Sequence, residues 1–119
     1  MAQHNELGEL GEDMAVDFLL KKGYKVLERN YRYQKAEVDI LAQKDDILAV
    51  VEVKTRSSSF FGDPQDFVKP KQIQRLVTAV DAYITSHNLD LEVRFDIIAI
   101  VKSSKKFELE HLENAFYHF

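Results

Sequence analysis

The architecture of this chain depends on the run Ile47-Leu48-Ala49-Val50-Val51-Glu52-Val53-Lys54-Thr55-Arg56. Five of its first seven residues are Ile, Leu or Val, which predicts a buried β-strand. Side chains two residues apart on a strand point to the same face, so Glu52 and Lys54 share a face with Val50. A core strand that becomes charged on one face where it ends indicates a functional site.

A second charged strand precedes this run. The alternation from residue 36 to residue 40 places Glu37 and Asp39 on one face and aliphatic side chains on the other, which predicts a strand over residues 33–42. The polar residues 43–46 suit a hairpin turn. A turn centred on residues 45–46 puts Asp39 opposite Glu52 and Glu37 opposite Lys54, with opposed Cβ atoms about 4.5–5.5 Å apart.

Two opposed carboxylates destabilise a sheet unless a proton or a divalent cation neutralises them. We expect the cation, with Asp39 and Glu52 as ligands. Oxygen ligands favour magnesium or manganese, and the chain has no cysteine for a thiolate zinc site. The alternative is a pair of ion pairs at the edge of the sheet, Glu37 with Lys54 and Glu52 with Arg56. The spacing alone leaves both interpretations open.

Length and composition set the class of protein. The chain has 119 residues, of which 45% are hydrophobic and 30% charged, as expected of one globular domain spanning residues 1–119. No apolar run approaches the roughly 20 residues of a membrane span, and acids near the N-terminus argue against a signal peptide. We therefore expect a cytoplasmic protein with no membrane partner. The absence of cysteine is compatible with a reducing compartment.

The formal net charge of −4 is unevenly distributed. Residues 1–20 carry five acids and no Lys or Arg, residues 21–80 carry twelve bases against eight acids, and residues 81–119 carry four bases against seven acids. The basic middle of the chain contains the two charged strands, and it predicts nucleic-acid phosphate contacts. Solvated surface bases are the alternative. The residues predicted for these contacts are Arg32, Arg56, Lys71 and Arg75.

The first predicted element is a helix over residues 6–22, with Asn5 as N-cap and a C-terminal stop at Gly23. Its expected buried stripe is Leu7, Leu10, Met14 and Phe18. Glu12 lies at the margin of the buried face. Gly8 and Gly11 weaken a helix, so something should pack close to the backbone there. A helix laid on the charged hairpin could bring Glu12 to the metal as a further carboxylate; alternatively Glu12 is a marginal surface acid.

The remaining pattern completes a mixed sheet. Strands are predicted at residues 24–30, 91–101 and 107–112, and a helix runs from Pro70 to about residue 86, closed by Asn88. Asp96 falls on the face opposite Phe95 and is expected to be held by a neighbouring base. The order helix, three strands, helix, two strands predicts a mixed sheet with helices on both faces. A loop after the third strand contains two phenylalanines, Phe60 and Phe61, which would act either as a wedge against a partner or as an anchor of the loop to the body of the protein. Four histidines are expected at the surface: His4, His87, His111 and His118.

Three motifs in order resemble a known family. They are Gly8-x-x-Gly11-Glu12-x-x-Ala15, Ala36-Glu37-Val38-Asp39-Ile40-Leu41 and Val51-Glu52-Val53-Lys54-Thr55-Arg56, followed by Arg94-Phe95-Asp96 after the second helix. Asp39, twelve residues and then Glu52-Val53-Lys54 resemble the catalytic signature of the PD-(D/E)xK nuclease superfamily. The whole set is similar to the YraN-like family of small predicted endonucleases.

The resemblance implies a restriction-endonuclease-like fold, a three-layer α/β/α sandwich with a mixed central sheet. It also implies that Asp39 and Glu52 hold magnesium or manganese, that Lys54 activates the attacking water, and that Glu12 completes the acidic cluster. The expected function is metal-dependent phosphodiester hydrolysis, of structured or branched DNA rather than a specific sequence. Two other functions stay open: a non-catalytic nucleic-acid-binding module, and a structural domain with an ion-pair network. Cutting both strands takes two active sites, which is compatible with a homodimer.

Overall fold

The computed structural model describes residues 6–57 and 69–115. Asn5, Phe60, Phe61, His4 and His118, for which the sequence carried predictions, lie outside these residues. The described chain forms two helices and five strands. In chain order they are α1 (Glu6–Lys21), β1 (Lys25–Tyr33), β2 (Ala36–Lys44), β3 (Ile47–Arg56), α2 (Pro70–His87), β4 (Glu92–Ser103) and β5 (Lys106–Leu112).

The five strands form one sheet in the order β1-β2-β3-β4-β5. Strands β3 and β4 pair in parallel, with α2 as the crossover between them, and the other neighbours are antiparallel. A short hairpin can join antiparallel strands, whereas a parallel pair needs a longer connection, as α2 provides. The predicted mixed sheet and the predicted hairpin of β2 and β3 are confirmed.

Each face of the sheet packs against one helix, which confirms the predicted three-layer α/β/α sandwich. On one face, Leu76, Val80 and Tyr83 of α2 pack with Val50 and Phe95. On the other, Ala15 and Leu19 of α1 pack with a second set of sheet residues. That second set is Ile40, Ala42, Ala49, Val51, Ile98 and Ile100. The central strand β3 therefore has aliphatic residues buried on both sides, as its continuous apolar run predicted.

The buried face of α1 differs from the predicted stripe. The buried residues are Gly11, Ala15 and Leu19, whereas Leu10, expected at the centre of the stripe, is 45% exposed. A Cβ atom on Gly11 would lie 2.1 Å from Thr55 Oγ1, so only glycine allows this approach of α1 to β3. The close packing predicted from the helical glycines is confirmed at Gly11, and small side chains determine which face is buried.

The side-chain alternation of β2 breaks at Asp39. Val38 belongs to the core under α2, but Ile40 belongs to the core under α1, so the prediction that both share one face is wrong. The pairing of β1 with β2 passes from Arg29 opposite Ile40 to Tyr31 opposite Val38, and Asn30 between them adopts a left-handed backbone with φ of 54°. Asparagine tolerates this conformation better than most residues. The irregularity lies at the position of the predicted metal ligand.

The second helix follows its sequence signals closely. It begins at Pro70 and ends before Asn88, whose left-handed backbone (φ 54°, ψ 49°) directs its N–H toward the carbonyls of Ile84 and Thr85. The predicted closure by Asn88 is confirmed. Neither of the two described helices combines the length and apolar character needed to cross a membrane.

Candidate active site

The β2–β3 hairpin has the predicted register. Its turn contains Asp45 with φ of 56°, and its ladder runs from Lys44 opposite Ile47 to Ile40 opposite Val51. Asp39 and Glu52 occupy the next position, where the ladder ends. There the Val53 N–H donates a hydrogen bond to Asp39 Oδ2 at 2.8 Å. The carboxylate thus replaces the next backbone acceptor and is fixed at the end of the strand pair.

Glu52 lies beside Asp39 and is buried. Its side chain lines a cleft of about 310 Å³ shared with Asp39 and Gln72, and the residue is only 4% exposed. The Gln72 amide, on the first turns of α2, donates a long 3.4 Å hydrogen bond to Glu52 Oε1. Glu52 Oε2 is buried and has no hydrogen-bond partner among residues 6–57 and 69–115. A buried carboxylate oxygen without a partner is costly, and native proteins rarely keep one without a reason.

Burial raises the pKa values of both carboxyl groups. For Asp39, loss of hydration dominates; its hydrogen bond from Val53 and the attraction of Lys54 oppose it, and the pKa is raised to about 6. For Glu52, loss of hydration comes first and repulsion by Asp39 second, and the pKa is raised well above its usual range. Two acids that resist ionising together would be stabilised as anions by a nearby cation.

Lys54 is the nearby protein cation. Its attraction lowers the pKa of Asp39 and that of Glu52, although by less than burial raises them. The alternative prediction, an ion pair between Glu37 and Lys54, is wrong for this structure. Glu37 lies opposite Arg32 on β1, and the Arg32 Nε to Glu37 Oε2 distance is 3.7 Å. The charge of Lys54 thus acts on Asp39 and Glu52, while Glu37 pairs with Arg32.

Glu12 approaches the site from α1. The Gly11–Thr55 contact brings α1 onto the charged end of β3, and the charge of Glu12 contributes to raising the pKa of Asp39. Its own carboxylate is already engaged, because Arg29 Nη2 and Asn30 Nδ2 donate to Glu12 Oε1 at 3.2 and 3.1 Å. The charge of Glu12 thus acts on Asp39, but its carboxylate is bound to β1.

The donor set suits a hard divalent cation. Asp39 and Glu52 supply carboxylate oxygens in a polar cleft, and magnesium is commonly held by one or two carboxylates with water completing its coordination. Within the part of the chain that the structure describes, no three His, Cys, Asp or Glu side chains converge as a ready metal cage. The Glu52 oxygen without a hydrogen-bond partner suits a cation bound by the Asp39 and Glu52 carboxylates. Glu12 would add a third carboxylate if its side chain turned toward them.

The four basic residues predicted to contact nucleic acid are not clustered together. Arg32 is engaged with Glu37, and Arg56 Nη1 donates to the Thr55 carbonyl at 2.9 Å. Lys71 and Arg75 lie exposed on the first turns of α2, and Arg75 also lines the cleft. Arg75 is therefore the predicted contact residue that lines the cleft, where Lys35 of the β1–β2 turn accompanies it.

Residues 11–100 match the model of the uncharacterised protein family UPF0102. The chain belongs to this family. The resemblance to the YraN-like family is thereby confirmed. A UPF0102 protein of Flavobacterium psychrophilum is 64% identical over 119 residues, covering 100% of both chains. One from Bacteroides fragilis is 48% identical over 117 residues, covering 98% of this chain and 97% of the relative.

Among solved structures, the chain is similar to Archaeoglobus fulgidus Hjc, a Holliday junction resolvase. The TM-score is 0.48 and the sequence identity 15%, over 87% of this chain and 75% of the resolvase.

A second buried acid, Asp96, lies on the opposite face of the sheet in this UPF0102 chain. Arg94 donates to both Asp96 oxygens at 2.9 and 2.8 Å, and the Asn114 N–H donates to Oδ1 at 3.0 Å. His111 Nε2 lies 2.8 Å from Oδ2, and Lys22 Nζ lies 3.0 Å from His111 Nδ1. The prediction that a base holds Asp96 is confirmed. The prediction of a surface His111 is wrong, because its side chain is 3% exposed.

Three residues of the site had no assigned role in the sequence prediction. Gln72 contacts Glu52, and Arg29 with Asn30 holds Glu12. A polar residue at the start of an amphipathic helix gives no indication of which strand end it will meet. Arg29 lies in the basic middle of the chain, and the sequence gives no indication that its partner is Glu12, 17 residues away in another element.

Proposed function

We propose that this UPF0102 protein is a metal-dependent nuclease of restriction-endonuclease-like fold in the PD-(D/E)xK superfamily, which hydrolyses phosphodiester bonds. One observation carries the proposal. The half-buried Asp39 carboxylate and the buried Glu52 carboxylate line one cleft, the charge of Lys54 acts on both, and one Glu52 oxygen has no partner in the described chain. A structural site would be expected to satisfy that oxygen.

The proposed metal is magnesium or manganese, held by Asp39 and Glu52. When bound, it would polarise the phosphate and lower the pKa of a coordinated water. The protein's own side chains would hold the metal ligands and the lysine in position. The Asp39 carboxylate is fixed by the Val53 N–H, Glu52 by burial and Gln72, and the Lys54 ammonium is placed to stabilise negative charge that develops on the phosphate oxygens.

The proposed substrate is structured or branched DNA. The cleft is small and its polar residues suit a phosphate, whereas reading a base sequence needs an element inserted in a groove of the duplex. Cytoplasmic location and action as a homodimer remain predictions.

A non-catalytic nucleic-acid-binding module is the second candidate. It is favoured by the bonds from Arg29 and Asn30 that keep the Glu12 carboxylate on β1 instead of beside Asp39. The structural ion-pair domain is less well supported, since the described hydrogen-bond partner of Glu52 is an uncharged amide.

Metal binding is tested first. Manganese titrated into the purified protein should bind by calorimetry and raise the melting temperature by several degrees, since a ligand at 100 times its Kd adds about 2.7 kcal/mol. Asp39→Asn should lose both effects. Asp81→Asn, which removes an exposed carboxylate from α2, is the matched control and should bind as the wild type does. Equal manganese binding by Asp39→Asn would contradict the proposal.

Cleavage is tested next on branched, nicked, duplex and single-stranded DNA with manganese. The wild type should cut, and Lys54→Ala should cut at least 100-fold more slowly while still binding manganese, because it loses charge stabilisation alone. Lys25→Ala is the control variant. Lys25 is the first residue of β1, at the end of the strand away from Tyr33, and its loss should leave the cleavage rate unchanged. Binding without cutting of any substrate would favour the non-catalytic module.

A further inference from the structure

A groove adjoins the acidic cleft and shares part of its lining. It lies between the β1–β2 turn and the exposed face of α2, and it encloses about 430 Å³. Lys35, Ala36 and Arg75 line both the groove and the cleft, so the two are continuous. The side chains that matter for its chemistry are Tyr33, Gln34, Lys35, Lys71, Gln74 and Arg75.

The groove is basic where the cleft is acidic. Its three cations, Lys35, Lys71 and Arg75, are exposed, and no carboxylate lines it. None of the three makes an ion pair with a side chain in residues 6–57 or 69–115. Other bases of the described chain do have carboxylate partners, as with Arg29 beside Asp13 and Arg94 beside Asp96. Three unneutralised cations in one concave surface are a site for a polyanion.

We propose that this groove binds one single strand of nucleic acid, on the side of the cleft that leads away from the acidic pair. The Lys35, Lys71 and Arg75 side chains would contact its phosphates, and the Tyr33 ring would stack on one base. The position of the scissile phosphate over Asp39 and Glu52 rests on the proposed nuclease function. The binding of a strand in the groove does not depend on that function.

The dimensions favour a single strand over a duplex. A recess of about 430 Å³ has the size of a small-ligand pocket, which accommodates a nucleotide but not a double helix. The Tyr33 ring lines the recess and packs partly against the core under α2, and a ring in this position can stack only on a base that has left its own stack. Tyr33 sits at the end of β1, directly before Gln34, whose φ of 56° turns the chain toward Lys35. The turn thus places a ring and a cation side by side.

Binding is measured by fluorescence anisotropy with a labelled twelve-nucleotide oligothymidine in EDTA, so that no cleavage occurs. Each phosphate contact contributes about 0.7 to the slope of log affinity against log salt for single strands. Lys71→Gln/Arg75→Gln should reduce the slope by about 1.4 and weaken binding about tenfold at low salt. Lys21→Gln/Lys25→Gln removes the same charge at the far end of the molecule and should leave the slope unchanged. Equal slopes for the two double variants would overturn the proposal.

Stacking is tested separately at Tyr33. Tyr33→Leu should weaken oligothymidine binding about tenfold without changing the salt slope, and Tyr33→Phe should restore it, because the ring is the required feature. Circular dichroism melting curves identify any variant that loses binding because it unfolds. If Tyr33→Leu unfolds, binding by Tyr33→Phe decides whether the ring is the required feature. Loss of binding in a folded Tyr33→Phe protein, or none in Tyr33→Leu, would exclude the stacking role.

A duplex of the same length separates this proposal from the nuclease proposal. The wild type should bind the duplex more weakly than the single strand, and Tyr33→Leu should not alter duplex binding. Duplex binding that is tighter and equally sensitive to Tyr33 would refute a single-strand groove, even if the protein cuts DNA. Groove-dependent single-strand binding by a protein that cuts nothing would support the groove and defeat the nuclease.

Discussion

Asp96 and Glu52 are both buried acids on adjacent parallel strands, yet their surroundings are opposite. Asp96 lies under α1 and receives hydrogen bonds from Arg94 and the Asn114 N–H, with His111 beside it. Glu52 lies under α2 with a long bond from Gln72 and one oxygen without a described partner. The hydrogen bonds from His111 and Arg94 lower the pKa of Asp96 against the effect of burial, whereas burial and Asp39 raise that of Glu52.

The contrast separates a structural charge from one kept for a ligand. The Asp96 network joins β4, β5 and the end of α1, and the Ala115 N–H bonds the Phe95 carbonyl beside it. A buried charge with partners on three elements fixes their arrangement. The Asp39–Glu52 pair has surplus negative charge and lines a cleft, so folding alone gives no reason to keep it there. The two sites should respond to mutation with opposite signs.

The largest effect is expected at Asp96. Asp96→Ala leaves half-buried Arg94, the buried His111 ring and the Asn114 N–H without their shared carboxylate, and it should lower the free energy of unfolding by about 3–5 kcal/mol. Urea denaturation followed by circular dichroism measures it. Asp90→Ala removes an exposed acid and should change stability by less than about 0.5 kcal/mol. A loss below about 1 kcal/mol in Asp96→Ala would show that the network does not hold the fold.

Gly11→Ala should have the next largest effect, and it tests how α1 serves the cleft. The added methyl group would meet Thr55 Oγ1 at 2.1 Å, so we expect overpacking of about 1–3 kcal/mol despite alanine's better helix propensity. Thr55→Ala should recover part of this loss in a double-mutant cycle. Exposed Gly8→Ala should stabilise the helix. If Gly11→Ala is also stabilising, the close contact does not position the helix.

Asp39→Asn should change stability in the opposite direction. Because burial raises the pKa of Asp39 to about 6, its protonated form stabilises the fold fully below the unfolded pKa, and that contribution is lost as pH rises through 6. Asparagine still accepts from the Val53 N–H without a charge. At pH 8 without metal the variant should therefore be more stable by about 1–2 kcal/mol.

The pH dependence provides the check on Asp39. The gain should fall to about 0.5 kcal/mol or less at pH 4, where the folded carboxyl is protonated and the unfolded one is about half protonated, and urea titrations at both pH values measure it. Asp96 behaves inversely, since the lowered pKa of its carboxyl makes its contribution present above the unfolded pKa and lost as pH falls through the folded pKa. A destabilised Asp39→Asn at pH 8 would mean that the acidic pair is structural, like Asp96.

The sequence was sufficient for most of the fold because the decisive signals were local. The elements follow from side-chain alternation, from a two-residue turn at Asp45-Asp46, and from Pro70 and Asn88 at the ends of the second helix. The same turn determines the register of Asp39 with Glu52. What it missed depends on contacts between distant residues. Leu10 is exposed because Gly11 sits on Thr55, and His111 is buried because β5 carries it to Asp96.

Arg29→Gln should have the smallest effect on stability and sharpens the role of Glu12. Its ion pair with Glu12 is 3.2 Å long, and the Arg29 side chain is 39% exposed, so its loss should cost less than about 1 kcal/mol. Removing the guanidinium frees the Glu12 carboxylate from its strongest partner, while Asn30 can still hold it weakly.

If Glu12 belongs to the metal site, Arg29→Gln should tighten manganese binding several-fold in calorimetry, because a third carboxylate becomes free to join the acidic pair. Glu12→Gln should then weaken it, and the double variant should resemble Glu12→Gln alone. Unchanged manganese affinity in both single variants would mean that Glu12 serves only to join α1 to β1 through Arg29 and Asn30. The acidic site would then consist of two carboxylates, and its contrast with Asp96 would depend on Asp39 and Glu52 alone.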